Sequence, residues 1–257
     1  MTALVLQARL DSSRLPQKSL LPLGGRPLIF RVMEALGILS CEVKILACPE
    51  DNVSAFSPLA EEAGFSVVPG PREDVLARYC LAIRRCGAER IIRATGDNPF
   101  VFVDAADALN QEALALGADY AGYSGLPYGA GVESVASEAL LRAEREARLQ
   151  PEREHVCPYL YGHPELFRLH RPLAPPKWQG AKLRVTVDTR EDYEKALVLY
   201  EHLFALPPHE RNKGESIISF CDRLFGGNTA DNAPPGTPAK TGHSRAVGRG
   251  SPPENTV

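Results

Sequence analysis

Short apolar runs alternate with helical repeats through the first hundred residues of this chain. The apolar runs begin near Ala3, Glu42, Phe65 and Arg90, and an amphipathic repeat separates each run from the next. Strands that alternate with helices pair side by side in one parallel sheet, and the crossover helices pack on its faces. The sequence therefore predicts an α/β fold with a mostly parallel central sheet and helices on both faces.

The same pattern continues to about residue 225 and then stops. Residues 105–116 predict a helix, Ser137 is the expected N-cap of a further helix, and the alternating segment Leu183–Val187 predicts a strand. The residues that follow the last helical repeat are mostly Gly, Pro, Ser, Thr and Asn, which cannot bury enough surface to offset the entropy of ordering. We predict one domain over residues 1–225 and a disordered tail over 226–257.

Charge and composition indicate few macromolecular partners. The chain has 257 residues, with 29 Lys and Arg against 32 Asp and Glu, so its net charge of −3 gives no argument for nucleic-acid binding. No apolar stretch approaches the roughly 18 residues that span a bilayer, and no secretion signal is recognisable. The six cysteines lack metal-site spacing and are typical of small buried side chains. We expect a cytoplasmic protein with no membrane or nucleic-acid partner.

The loop after the first apolar run concentrates positive charge. The segment ALVLQARLDSSRLPQK places Arg9, Arg14 and Lys18 beside the hydroxyls of Ser12 and Ser13. Ligands of open α/β sheets bind at the carboxyl ends of strands, and convergent Arg and Lys groups suit phosphates. A solvated basic loop is the alternative interpretation on spacing alone. Because GxxxxGK[ST] does not occur, the loop is not a Walker phosphate loop.

Two aspartates follow predicted strands far apart in the sequence. Asp97 stands in TGDNP and Asp188 in TVDTRED, so a parallel sheet could bring both to the edge that carries the cationic loop. Two carboxylates there could hold Mg²⁺ together with substrate phosphate oxygens. Each aspartate taken alone could also be only a turn or helix cap.

The segment QARLDSSRLPQKSLLPLGGRPLI resembles the amino-terminal signature of the sugar-acid cytidylyltransferases, in which ARxxSxRLPxK binds the nucleotide. Over residues 1–225 the chain is most similar to the spore coat polysaccharide biosynthesis type, relatives of CMP-KDO and CMP-sialic acid synthetases. The stretches GPREDVLARY, RATGDNPFVFVD, GVESVASEALLRA, REHVCPYLYGHPELFRL and RVTVDTREDYE follow in the family's order. The resemblance implies a Rossmann-like nucleotide-diphospho-sugar transferase fold and a Mg²⁺-dependent enzyme that transfers CMP from CTP to an acidic acceptor, releasing pyrophosphate.

Site residues carry over from the family motifs position by position. Arg9, Lys18, Asp97 and Asp188 are the expected catalytic residues, and the two aspartates are the expected metal ligands. A homodimer is a further expectation. The nucleotide-binding residues implied are Ala8, Arg9, Ser12, Arg14, Lys18, Arg72, Asp74 and Thr95, and the acceptor-binding residues are Arg93, Glu133 and His155.

One departure from the family pattern leaves other functions open. Close relatives tend to read GLDVEVF where this chain has GAGVESV, so Gly131 replaces an aspartate and Ser134 an aliphatic residue. The acceptor subsite could differ, or the protein could be a catalytically silent nucleotide-binding protein. Glycosyl transfer from a nucleotide-sugar is a second rival, although its usual DxD metal motif does not occur at a strand end. For His155, a general base, a substrate contact and a structural role all remain open.

Overall fold

The computed structural model describes residues 1–226, and this part of the chain contains nine β-strands and nine α-helices. The predicted tail, from residue 227 onward, lies outside the described residues. The strands are β1 (Thr2–Gln7), β2 (Pro22–Leu23), β3 (Arg26–Pro27), β4 (Val43–Pro49), β5 (Ser66–Gly70), β6 (Arg90–Thr95), β7 (Tyr120–Ala121), β8 (Glu133–Ala136) and β9 (Leu169–His170). The helices are α1 (Leu28–Leu36), α2 (Val53–Glu62), α3 (Val75–Cys86), α4 (Val103–Leu116), α5 (Ser137–Glu146), α6 (Gln150–His155), α7 (Pro158–Gly162), α8 (Arg190–Phe204) and α9 (Gly214–Phe225).

Seven strands form the central sheet in the order β5-β4-β1-β6-β8-β7-β9. The first four are mutually parallel, β8 runs antiparallel to both β6 and β7, and β9 is parallel to β7. Strands β2 and β3 make a separate small hairpin. The expectation of a mostly parallel sheet with helices on both faces is confirmed.

Strand β1 lies in the middle of the parallel strands, and its side chains alternate between two hydrophobic clusters. Leu4 and Leu6 pack into the cluster that includes α1, α2 and α4, whereas Ala3 and Val5 pack into the cluster that includes α3 and α5. All four side chains are fully buried. Because successive side chains of a strand point to opposite faces, this apolar run requires helices on both sides of the sheet.

Two local predictions were wrong. Ser137 is the first residue of α5 and not its N-cap, because β8 continues through Ala136, which pairs with Arg90 of β6. The segment Leu183–Val187 forms only an isolated bridge at Arg184. The backbone of this segment instead bonds two loops, since Val185 N donates to Tyr128 O and Val187 N donates to Asp97 O in the turn after β6, both at 2.9 Å.

No helix within residues 1–226 is long and apolar enough to cross a membrane; the longest, α8, has 15 residues.

Candidate active site

A cavity of about 620 Å³ opens at the carboxyl edge of the parallel strands. It lies between the loop after β1, the turn after β6 and residues 122–133. This is the edge at which open α/β sheets bind their ligands. The residues from the sequence analysis that line it are Ala8, Arg9, Ser12, Ser13, Arg14, Lys18, Arg93, Thr95, Asp97, Gly131, Glu133, His155 and Asp188.

Gly96 brings the turn after β6 against the end of β1. Its amide donates to Gln7 O at 2.7 Å, and a Cβ at this position would lie 2.7 Å from Ile29 Cδ1 and 2.9 Å from Ala8 Cβ. A larger residue would therefore push the two loops apart. The glycine places the next residue, Asp97, directly beside the cationic loop.

Lys18 joins the cationic loop to both aspartates. Its Nζ donates to Asp97 Oδ2 at 3.0 Å, to Asp188 Oδ1 at 2.8 Å and to the carbonyl oxygen of Val187 at 2.9 Å. The Lys18 side chain is 13% exposed and that of Asp188 10%. Three groups that lie far apart in the sequence thus meet at one point of the cavity wall.

The carboxylate of Asp188 is surrounded by three cations. Besides Lys18, Arg14 Nη2 lies 3.1 Å from Oδ1 and Arg184 Nη2 lies 2.7 Å from Oδ2. Burial would raise the pKa of Asp188, but the hydrogen bond from Lys18 and the neighbouring positive charges outweigh burial and lower it. Asp188 is therefore ionised at neutral pH.

The start of α8 fixes the backbone of Asp188. Asp192 accepts hydrogen bonds from the amides of Asp188 and Thr189, both at 3.0 Å, and the Thr189 hydroxyl accepts from the Asp192 amide. This reciprocal arrangement is a capping box. Arg184 Nε also donates to Asp192, at 2.9 Å, so the helix start holds both the carboxylate and one of its cations.

The two aspartates suit a hard divalent cation. Oxygens of Asp97 and Asp188 already converge on one positive group, the Lys18 ammonium. Within residues 1–226 no group of three or more His, Cys, Asp and Glu side chains could hold a metal. A cation at this point would have two protein carboxylates and would take its other ligands from phosphate and water, as Mg²⁺ does in phosphate-transferring sites.

Another part of the cavity wall contains a polar network around Glu133. Its carboxylate is paired with Arg93, accepts a hydrogen bond from the Tyr120 hydroxyl at 2.7 Å and lies 3.5 Å from Cys157 Sγ. The Arg93 guanidinium lies 5.5 Å from the centre of the Tyr79 ring. Burial raises the pKa of the Cys157 thiol, so this cysteine stays protonated. Arg93 and Glu133 neutralise each other.

A family model described as cytidylyltransferase matches residues 3–213 of the chain. The chain belongs to the cytidylyltransferase family. It is 33% identical over 204 residues to the spore coat polysaccharide biosynthesis protein SpsF of Bacillus subtilis, an alignment that covers 77% of this chain and 85% of that protein. The family resemblance stated from the sequence motifs is therefore confirmed.

Two solved structures share the fold of this chain. A cytidylyltransferase from Leptospira borgpetersenii superposes with a TM-score of 0.80 at 24% identity and covers 90% of this chain and 98% of its own. A CMP:2-keto-3-deoxy-manno-octonic acid synthetase complexed with CTP superposes with a TM-score of 0.62 at 17% identity and covers 78% and 98%. At these identities the likeness establishes the fold, and the predicted Rossmann-like nucleotidyltransferase fold is confirmed.

Arg72 and Asp74 do not line the cavity. Helix α3 begins one residue after Asp74, which is its N-cap: the Asp74 carboxylate accepts from the Ala77 amide at 2.9 Å and is paired with Arg153. Arg72 is paired with Asp11 at 2.8 Å and with Asp51. Both residues thus have partners in the protein; Asp11, one partner of Arg72, lines the cavity, but Arg72 and Asp74 themselves do not.

Sequence reasoning missed two arginines of the site. Arg184 is paired with Asp188 and Asp192. Its segment was predicted to be a strand, and residues four apart in a strand do not contact each other, so the pair with Asp188 was not expected. Arg171 lines the cavity, with its guanidinium 5.2 Å from the centre of the Tyr161 ring. It follows β9 in a proline-rich stretch without periodicity, so no local signal marked it.

Proposed function

We propose that this protein transfers CMP from CTP to an acidic acceptor and releases pyrophosphate. The observation that carries the proposal is the convergence of Lys18, Asp97 and Asp188 in one cavity, next to Arg9 and Arg14, in a member of the cytidylyltransferase family. Two carboxylates and several cations at one point suit a metal–triphosphate complex better than any uncharged ligand. The synthetase of the same fold that was solved with CTP supports the choice of nucleotide.

The chain's own residues would bind and orient the triphosphate. Arg9, Arg14 and Lys18 would neutralise phosphate oxygens, with Ser12 as a hydroxyl donor in the same loop, and would stabilise the charge that develops on the leaving pyrophosphate. Mg²⁺ held by Asp97 and Asp188 would withdraw charge from the phosphate oxygens. An acceptor oxygen then attacks the α-phosphorus in line, and no covalent protein intermediate is needed.

Arg171 is the cation that we assign to the acceptor's anionic group. Arg93 is paired with Glu133, whereas Arg171 makes no ion pair with any residue of the described part of the chain. Arg93, Glu133 and His155 would then shape the acceptor subsite. At Gly131 a Cβ would meet Leu126 Cδ1 at 3.0 Å, so an aspartate here would crowd that side chain, and its absence leaves this wall without a carboxylate beside the acceptor.

The remaining expectations are part of the same proposal. Residues 1–225 would form the nucleotidyltransferase domain, acting in the cytoplasm as a homodimer on small molecules. Analytical ultracentrifugation of the full chain measures the oligomeric state, for which a monomer would contradict the expectation.

Pyrophosphate release tests the proposed reaction. Purified protein is incubated with Mg²⁺, CTP and a panel of sugar acids, keto acids and phosphonates, with UTP in place of CTP as the base control. We expect pyrophosphate only with CTP and a matching acceptor, and none with Asp97→Asn although that variant keeps its fold. Turnover by Asp97→Asn at the normal rate contradicts the metal assignment. Release of a nucleoside diphosphate from a nucleotide-sugar would identify a glycosyltransferase instead.

A further inference from the structure

The Lys18 ammonium makes a full set of hydrogen bonds at the end of the cavity that carries the two candidate metal ligands, Asp97 and Asp188. A lysine ammonium has three N–H donors. Lys18 has three acceptors, one for each donor: Asp97 Oδ2, Asp188 Oδ1 and the Val187 carbonyl oxygen, all within 3.0 Å. With its side chain 13% exposed, Lys18 has no donor left for a phosphate in this arrangement.

The same carboxylate oxygens are those that a divalent cation would need. Mg²⁺ binds carboxylate oxygens at about 2.1 Å, closer than any hydrogen bond. A metal ion on Asp97 and Asp188 would therefore lie against the Lys18 ammonium, and two cations cannot share these oxygens without strong repulsion. Either the lysine or the metal can hold the pair of carboxylates.

We propose that the Lys18 ammonium competes with the metal ion for the carboxylates of Asp97 and Asp188. When the nucleotide binds, its phosphates attract the ammonium and so free the two carboxylates for the metal. The second half of this inference rests on the proposed function, because it takes CTP as the ligand. The consequence is coupling: the metal and the nucleotide each improve the binding of the other, by the same factor in both directions. The protein alone holds divalent cations weakly.

Lys18 differs in this respect from the other cations around Asp188. Arg14 touches only Asp188 and its side chain is 62% exposed, so it contributes charge without standing between the carboxylates. Arg184 approaches the opposite oxygen, Oδ2, and is shared with Asp192. Arg14 is therefore a matched control, because its removal changes the net charge of the site as much as removal of Lys18 does.

Titration with Mn²⁺ in the absence of any nucleotide tests the competition. The dissociation constants of wild type, Lys18→Met and Arg14→Met are measured by the electron paramagnetic resonance signal of free Mn²⁺. We expect Lys18→Met to bind Mn²⁺ at least tenfold more tightly than wild type, and Arg14→Met to stay within threefold of wild type. Equal affinities in the two variants would mean that only net charge matters, and would overturn the proposal. Lys18→Gln provides a second neutral variant, and circular dichroism checks that each variant is folded.

Binding of CTP in the presence of EDTA tests the reciprocal effect. Asp97→Asn removes one of the carboxylates that hold the Lys18 ammonium, so metal-free CTP should bind this variant at least threefold more tightly than it binds wild type. Asp11→Asn removes a carboxylate that lines the cavity without contacting Lys18, and we expect a smaller gain. The gain from Asp97→Asn should disappear in the Lys18→Met background; an unchanged gain there would overturn the proposal.

The two titrations separate this inference from the proposed function. If no variant binds CTP, with or without metal, the proposed nucleotide is wrong, yet the Mn²⁺ titration still decides whether Lys18 competes for the carboxylates. If CTP binds and supports turnover while Lys18→Met leaves Mn²⁺ affinity unchanged, the function stands and the competition is refuted.

Discussion

Replacing Asp188 with asparagine removes the most enclosed negative charge of the site. The carboxylate accepts a hydrogen bond from Lys18 at 2.8 Å and from Arg184 at 2.7 Å, and its side chain is only 10% exposed. We expect the Asp188→Asn variant to fold and to be less stable than wild type at neutral pH.

The expected loss of stability depends on which ion pairs each of the three cations keeps in the variant. A hydrogen bond to a charged group contributes roughly 1.5–3 kcal/mol. Lys18 retains Asp97, Arg184 retains Asp192, and the exposed contact of Arg14 adds little. The loss should therefore be close to that of one such bond, about 2 kcal/mol in the free energy of unfolding. For a domain of this size that corresponds to a fall in Tm of roughly 4–8 °C.

The pH dependence of the stability difference between wild type and Asp188→Asn is the most specific test of this prediction. The pKa of Asp188 is lowered in the folded protein, so its stabilisation is fully present above the ordinary aspartate pKa of about 4 and is lost as pH falls through the lowered value. Urea unfolding of wild type and Asp188→Asn at pH 7, 5, 4 and 3 measures the difference. We expect the difference to be constant from pH 7 to 5 and to shrink below pH 4. A variant that is more stable than wild type, or a difference that persists unchanged at pH 3, would refute the reasoning.

Four further substitutions test the described structure. Asp74→Ala removes the N-cap of α3 and an ion pair; thermal unfolding should show a loss of about 1–2 kcal/mol, and calorimetry should show unchanged CTP affinity. Trp178→Phe loses the hydrogen bond from Nε1 to Asp104 and should cost about 1 kcal/mol in urea unfolding, without changing the oligomeric state. Gly129 has a φ of +94° and faces a backbone nitrogen 2.6 Å from its would-be Cβ, so Gly129→Ala should lose about 2 kcal/mol or more. Gly131→Ala, whose Cβ would meet only the flexible end of the Leu126 side chain at 3.0 Å, should lose less than about 1 kcal/mol.

The parts of the fold that the sequence predicted well are those set by local pattern. β1 is buried on both faces, and a short apolar run that alternates with helical repeats is typical of a strand inside an α/β sheet. The turn at Asp97 follows because Gly96 permits the close approach to β1. The strand prediction for Leu183–Val187 was wrong for the opposite reason. Its alternating pattern is typical of a strand, but its backbone hydrogen bonds go to Tyr128 and Asp97, which lie in loops and not in a neighbouring strand.

The candidate site shows the same difference between features that local sequence patterns predict and features that depend on distant partners. Lys18 and the two aspartates could be anticipated, because strand ends of a parallel sheet share one edge. The pairing of Arg93 with Glu133 and the position of Arg171 depend on which strands become neighbours late in the chain, β6 with β8 and β7 with β9, and no local signal encodes that choice. Motif similarity alone implied that Asp74 binds the nucleotide; in the structure Asp74 is the N-cap of α3 and does not line the cavity.

Intact-mass analysis of a reaction mixture tests the central claim most directly. The protein is incubated with Mg²⁺, CTP and a small-molecule metabolite extract, with Asp97→Asn as the inactive control and UTP as the base control. The account predicts one or more new ions whose masses equal an anionic metabolite plus the cytidylyl group, matched by pyrophosphate release and missing from both controls. Consumption of CTP without a cytidylyl conjugate, or conjugates formed equally by Asp97→Asn, would contradict it.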